Sequence, residues 1–244
     1  MTAPRFFCSV PLVAATHIDL PTELAHHAIR VLRLKDGADI VLFDGTGAEY
    51  PARLSIAGKK GCALTGQPVQ ADRELEGHIT LVQGIAASDK MDWIIEKAVE
   101  LGAMRVAPIA ARRSVLQLSG ERLEKRLQHW NRVAVAASEQ CGRNHIMTVS
   151  PPTSLQDYLA QSQSTGELKL VCHPDSDQSL AQALSPSTTH ITILVGPEGG
   201  WAPDELALTD AAKLQRVRFG RRVLRTETAG LALISAISAL QGWV

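Results

Sequence analysis

Aromatic residues are scarce in this chain. Phe, Trp and Tyr make up 4% of its 244 residues, too few for a β-sandwich built on large rings. Cysteine is rarer still. The four, Cys8, Cys62, Cys141 and Cys172, lie far apart and form no C-x-x-C pair, which excludes a disulfide scaffold and suits a reducing compartment. Excess charge of either sign is missing, with 25 Lys and Arg against 25 Asp and Glu. Any affinity for nucleic acid must therefore come from local patches. The eight histidines show no metal-ligand spacing, and no metal is expected. Long apolar runs are also lacking. Ala229 to Leu240 is too short to span a bilayer. The stretch Met1 to Ala15 is broken by Pro4 and Pro11 and makes a poor signal peptide. A soluble cytoplasmic protein, away from membranes, is expected.

What is present is a core. A hydrophobic content of 45% argues against disorder, and the length fits one large or two small domains. Residues 1 to 72 read as mostly β. Asp39 to Phe43 is a strand-like run ended by Asp44-Gly45, a hairpin signal, and Glu49 to Ile56 alternates and can pair back. Gly61 to Leu64 and Gln67-Pro68-Val69 give further short strands, and His26 to Leu34 is a short helix. Together they describe a small β-barrel-like module. The polar Ala71 to Glu76 is the linker.

From about residue 77 the rhythm changes to strand and helix in alternation. His78 to Gly84, Arg105 to Ile109, Leu168 to Cys172, Ile191 to Val195 and Gln215 to Phe219 are strands. Ser88 or Asp89 caps a helix that ends at Gly102, with Met91, Ile94, Ile95, Ala98 and Val99 at helical spacing. Glu121 to Gln140 is a long helix, and Pro203-Asp204-Glu205 opens another. Strands separated by helices imply a parallel sheet in an α/β domain.

Two strand-end loops carry the chemistry. Gly196 to Gly200 lacks the Gly-Lys-Ser/Thr ending of a phosphate loop and is not G-x-G-x-x-G. Its glycines let backbone amides approach a ligand closely, although alone it reads as a tight βα turn. In Gly220 to Thr228, Thr226 can cap the following helix with Glu227 in its first turn. Capping leaves Arg225 unexplained, because a cation is disfavoured at a helix N-terminus. A ligand or a carboxylate partner would account for it. The small-residue helix Thr228 to Leu240 allows close packing, as core or as subunit interface. Basic clusters occur at 213–225, at 112–126 and at Arg30, Arg33 and Lys35, where they can meet phosphates.

These residues resemble the RsmE family, bacterial 16S rRNA (uracil-N3)-methyltransferases of the SPOUT class, over nearly the whole length. The first part is similar in Arg5-Phe6-Phe7, in His27 with Arg30 to Arg33, in Gly37 and in Leu42 to Gly45. The second is similar in Lys90-Met91, Glu96 to Gly102, Pro108, Arg113-Ser114, Ala136 to Arg143, Gly196 to Gly200 and Leu224 to Ala229. The chain departs at His145-Ile146-Met147, where the family usually has a proline. That departure can reshape the loop after Arg143.

The resemblance implies a PUA-like RNA-binding domain over 1–72, then a SPOUT α/β domain over 73–244 with a deep trefoil knot. It also implies a homodimer, and 16S rRNA of the small ribosomal subunit as partner. The implied cofactor is S-adenosyl-L-methionine, on His173, Pro174, Leu194, Gly196, Pro197, Glu198, Gly199, Gly200, Gly220, Val223, Leu224 and Thr226. Uracil N3 carries a proton at neutral pH, so the reaction needs a base and a cation that steadies the developing anion. Glu139 is expected as the base and Arg225 as the cation, with Arg30, Arg33, Arg113 and Arg143 holding the RNA backbone. Two alternatives are a SPOUT enzyme on another RNA site and a non-catalytic RNA-binding or ribosome-assembly protein.

Overall fold

The computed structural model describes residues 3–58, 60–71, 73–161 and 166–244. They form two compact units. One is Met1–Glu74 with Ser138–Ile146, and the other is Leu75–Ala137 with Met147–Val244. A boundary after residue 72 thus leaves out a returning segment, and its hydrogen bonds explain where it belongs. Arg5 donates to Asn144 Oδ1 at 2.7 Å and to the Gly142 carbonyl at 3.1 Å. Arg73 reaches the same carbonyl at 2.7 Å, and the Phe7 amide donates to Glu139 at 2.9 Å.

The first unit contains β1 (Arg5–Phe7), β2 (His17–Asp19), α1 (Thr22–His26), β3 (Asp39–Phe43), β4 (Ala48–Ala57), β5 (Lys60–Thr65) and β6 (Val69–Gln70). Its sheet runs β1-β3-β4-β5-β2, with β6 on β4. The pair β1–β3 is parallel and the other pairs are antiparallel. The hairpin signal at Asp44-Gly45 holds. Phe43 stands opposite Glu49, and Asp44 closes the turn by accepting from the Thr46 amide at 3.1 Å and hydroxyl at 2.6 Å. Alternation along β4 turns Ala52 and Leu54 inward and Arg53 and Ser55 outward. Leu54 joins Phe6, Leu24, Ile40 and Leu42 in the core, each buried side chain contributing about 1.5–3 kcal/mol. The helix expected over His26–Leu34 begins earlier, at Thr22, and passes into a π-helical turn over His27–Val31. Burial of Leu24, Ala25 and Ala28 sets this start, and the Leu32 amide bonds back to the His27 carbonyl at 2.9 Å.

The second unit runs β7 (His78–Gly84), α2 (Ser88–Glu100), β8 (Arg105–Ile109), α3 (Gly120–Cys141), β9 (Thr148–Val149), α4 (Leu155–Gln161), β10 (Leu168–Cys172), α5 (Leu180–Ala183), β11 (His190–Val195), α6 (Pro203–Ala211), β12 (Gln215–Val217) and α7 (Thr226–Gln241). Its last α3 residues, from Ser138, cluster with the first unit. The sheet is parallel throughout, in the order β12-β10-β11-β7-β8-β9. Central β7 and β11 are buried on both faces, as parallel strands under helices must be. Gly230 turns α7 toward the sheet, where a Cβ would stand 3.0 Å from the Leu81 Cδ1 methyl.

Three local expectations change. The cap of α2 is Ala87, not Ser88 or Asp89, because the Ala87 amide is held by Glu198 Oε1 at 3.0 Å. Strand β12 stops at Val217, not Phe219, because the Arg218 amide leaves the sheet for the Gln178 carbonyl at 2.9 Å. Helix α7 starts at Thr226, with Arg225 as its cap residue.

Candidate active site

Each parallel strand ends in a loop at the same edge of its sheet. From β7 the chain steps outward through β8 and β9, then crosses to build β10, β11 and β12 on the other side. Such a reversal opens a crevice beyond the strand ends. The crevice here is a cavity of ≈ 530 Å³ walled by loops after β10, β11 and β12 and by the start of α7, within the size range of small-molecule sites.

Of the residues expected to bind a cofactor, the structure brings together His173, Pro174, Gly196, Pro197, Glu198, Gly200, Gly220, Val223, Leu224 and Thr226. Two fall outside the wall. Leu194 is fully buried and packs in the core with Val82 and Val171. Its neighbour Val195 lines the cavity instead. Gly199 is turned to Arg113, whose Nη1 donates to its carbonyl at 3.1 Å.

The loop after β11 is a tight turn, closed by the Gly200 amide on the Pro197 carbonyl at 2.8 Å. Gly200 takes φ +68°, which a side chain would strain. The turn crosses directly over β7. A Cβ on Gly84 would sit 2.5 Å from Pro197 Cδ.

Thr226 does not cap α7 with its side chain. Its hydroxyl donates across the cavity floor to the Gly196 carbonyl at 2.6 Å. The same oxygen accepts from Gln83 Nε2 at 2.8 Å. Helix capping falls to the backbone of Arg225, whose carbonyl accepts from the Thr228 and Ala229 amides, each at 2.9 Å.

Charge is arranged on the rim. Lys90 Nζ lies 3.3 Å from both Glu198 and Glu227 and so ties the loop after β11 to α7. Burial works to lower the Lys90 pKa, but the two carboxylates outweigh it and the net shift is upward. For Glu198, burial raises the pKa. The Ala87 amide, its own amide and Lys90 together reverse this and hold it below the usual carboxylate range. Cys172 also lines the wall, and burial pushes its thiol up to about 11, so it stays protonated. Arg225 faces the cavity with its side chain 82% exposed, 3.9 Å from Glu227. That is the carboxylate partner its position beside a cap calls for.

The remaining expected residues are spread over both units. Glu139 belongs to the first unit, where it accepts the Phe7 amide and burial raises its pKa. It does not pair with Arg143. Arg143 is only 3% exposed and its Nε donates to Glu74 at 3.0 Å. A guanidinium buried in this way braces the first unit and presents no charge to RNA, which removes it from the phosphate-holding group. Arg30 and Arg33 are exposed in the first unit, and Arg33 holds a left-handed backbone at φ 54°. Arg113 is on the cavity rim.

Sequence reading missed Gln83, Cys172 and Trp201 as site residues and saw Lys90 only within a motif. A lone glutamine in the apolar strand Ile79–Gly84 was the available signal for Gln83. Among the described residues, no group of three or more His, Cys, Asp or Glu is placed to hold a metal ion. No described helix is long and apolar enough to cross a membrane.

Comparison with known proteins agrees with this layout. Residues 73–238 match the RNA methyltransferase domain family, and residues 20–65 match the RNA methyltransferase PUA domain. Ribosomal RNA small subunit methyltransferase E of Bacillus subtilis is 32% identical, over 88% of this chain and 87% of that protein. The protein of the same name from Buchnera aphidicola is 27% identical, over 98% and 94%. Among solved structures, ribosomal RNA small subunit methyltransferase E from Neisseria gonorrhoeae, bound to S-adenosyl methionine, is 34% identical. It superposes with a TM-score of 0.90 over 98% of each chain.

Proposed function

Because the chain belongs to the ribosomal RNA small subunit methyltransferase E family within the RNA methyltransferases, we propose that it methylates N3 of one uridine in 16S rRNA. The methyl donor is S-adenosyl-L-methionine. The observation that carries the proposal is the cavity of ≈ 530 Å³ walled by three strand-end loops and the start of α7.

The residues present fit that cofactor. Val195, Phe219 and Leu224 give an apolar wall for a planar ring, and the loops bring backbone amides and carbonyls to the cavity. Glu198 and Glu227 add negative charge at the rim, favourable to a sulfonium. When bound, S-adenosyl-L-methionine supplies an electrophilic methyl group. The chain's own task is to present uracil N3 within about 3–3.5 Å of it and in line.

Arg225 is the proposed cation that steadies the anion developing on the uracil oxygens. Its exposed guanidinium suits a substrate that arrives from solvent. Glu139 is the proposed proton acceptor, and its raised pKa makes it a better base than an ordinary carboxylate. Arg30, Arg33 and Arg113 are the proposed phosphate contacts. The target base has to be unpaired or flipped, since pairing buries N3.

The architecture we propose is a PUA-like RNA-binding domain over 1–72, joined in the fold by residues 138–146, and a SPOUT domain with a trefoil knot over the rest of 73–244. The enzyme would act as a cytoplasmic homodimer, with the small-residue face of α7 as a candidate interface. Light scattering on the purified protein tests the dimer.

Radiolabelled S-adenosyl-L-methionine with small ribosomal subunits, followed by primer extension, tests the activity. One methyl per subunit and a stop at one uridine is the expected result, because N3 methylation blocks the pairing edge. A ribose methyl, or a modified base elsewhere, would instead mean another RNA site. Absence of both transfer and cofactor binding would mean a non-catalytic RNA-binding protein.

A further inference from the structure

We propose that Gln83 is a positioning residue for the cofactor: it sets the shape of the cavity floor by fixing the direction of one hydroxyl proton. The proposal rests on reading the cavity as the S-adenosyl-L-methionine site. Gln83 is fully buried near the end of β7 and takes no part in the cavity wall. Its Nε2 donates to the Thr226 hydroxyl at 2.8 Å and to the Gly84 carbonyl at 3.0 Å. The amide nitrogen has two protons, and both are committed.

The consequence lies at Thr226. A hydroxyl has one proton and can accept as well. With Gln83 donating to its oxygen, the Thr226 proton is directed to the Gly196 carbonyl, 2.6 Å away. The chain of bonds runs from β7 through α7 to the loop after β11. It therefore joins two of the segments that wall the cavity, and hydrogen bonds in such a buried chain strengthen one another. Fold stability alone does not call for a glutamine here. Its Oε1 is buried with no hydrogen-bond partner among the described residues, an arrangement an apolar side chain of the same size would avoid. A strand buried on both faces otherwise takes apolar residues, as Leu81 and Val82 show.

Titration calorimetry with S-adenosyl-L-methionine on the full chain tests this, using Gln83→Leu, Thr226→Val and the double variant beside the wild type. Gln83→Leu is expected to keep the wild-type melting temperature and to weaken binding about tenfold, equal to about 1.4 kcal/mol. Thr226→Val is expected to weaken binding similarly. The double variant is expected to bind no worse than Thr226→Val alone, because both changes break one chain. In turnover the KM for the cofactor rises and kcat at saturation is largely kept.

If Gln83→Leu fails to fold, Gln83→Glu serves. A carboxylate accepts the Thr226 proton and so turns it away from Gly196, and affinity should again fall. Equal affinity in wild type and variants, or additive losses in the double variant, overturns the role of Gln83 while leaving the cofactor reading intact. A wild type that does not bind overturns both.

Discussion

Replacing Gly84 by alanine adds one methyl group at the most crowded point under the site. The new Cβ would lie 2.5 Å from both Cδ and N of Pro197, and 3.0 Å from the Gly196 carbonyl carbon. Ordinary contact begins near 3.4 Å, so the loop or the strand has to retreat by about 0.9 Å. Neither can give easily. Gly84 is held in register with Ile109 in the central sheet, and the opposing atoms are a proline ring and backbone. Overpacking of this kind costs about 1–3 kcal/mol of stability. The functional loss is larger, because the displaced atoms belong to the turn that walls the cavity. A misplacement of about 1 Å costs on the order of 100-fold in rate. Thermal melting, calorimetry with the cofactor and methyl transfer together measure both effects. A Gly84→Ala protein that melts, binds and turns over like wild type would refute the claim that the Pro197 turn rests on β7. Gly230→Ala is the control. Its nearest contacts are the methyl tips of Leu81 at 3.0 and 3.1 Å, which can move, and alanine favours a helix over glycine by about 1 kcal/mol. Stability there should change by less than about 1 kcal/mol.

Other outcomes follow from single contacts. Glu74→Gln should destabilise the first unit by about 3 kcal/mol in urea denaturation, because it takes the charge from a buried Arg143 pair. Burial raises the Glu139 pKa above its usual value, so the folded state binds its proton more readily than the unfolded chain. Glu139 therefore lowers stability above its folded pKa, and the penalty fades as pH falls through that pKa toward the unfolded value. Glu139→Gln should raise stability at pH 7, with a gain that shrinks in acid, and unchanged methyl transfer by that variant would remove Glu139 as the proton acceptor. Arg30→Ala and Arg33→Ala should each flatten the salt dependence of binding to single-stranded rRNA fragments by about 0.7 in log–log slope; an unchanged slope argues against phosphate contact.

How far the sequence reached depended on the length of each signal. Strands at 39–43, 105–109 and 168–172 and the helix from Gly120 announced themselves through sustained periodicity. The two- and three-residue strands β2 and β9 are too short to show a period, α5 has a single turn, and of β12 the sequence showed the strand but not where it stops. Their boundaries come from tertiary bonds, as with the Arg218 amide. The glycine turn and the Arg225–Thr226 loop were recognisable, yet their connection was not. Thr226 meets a carbonyl 30 residues away, and Thr226 in isolation looks like a cap. Leu194 shows the limit of reading strand ends by one residue: alternation puts it in the core and Val195 at the wall. Arg143 looked like a surface cation because burial of a guanidinium depends on Glu74, 69 residues earlier.

The bond from the Ala87 amide to Glu198 has a use beyond holding a helix end. The first amides of a helix have no partner within it and ordinarily exchange with solvent within moments. This one is shielded only while the turn after β11 stays seated. Deuterium uptake at Ala87, observed one amide at a time by NMR, is therefore a clock for the opening of that turn. The signal arises on an element other than the loop itself.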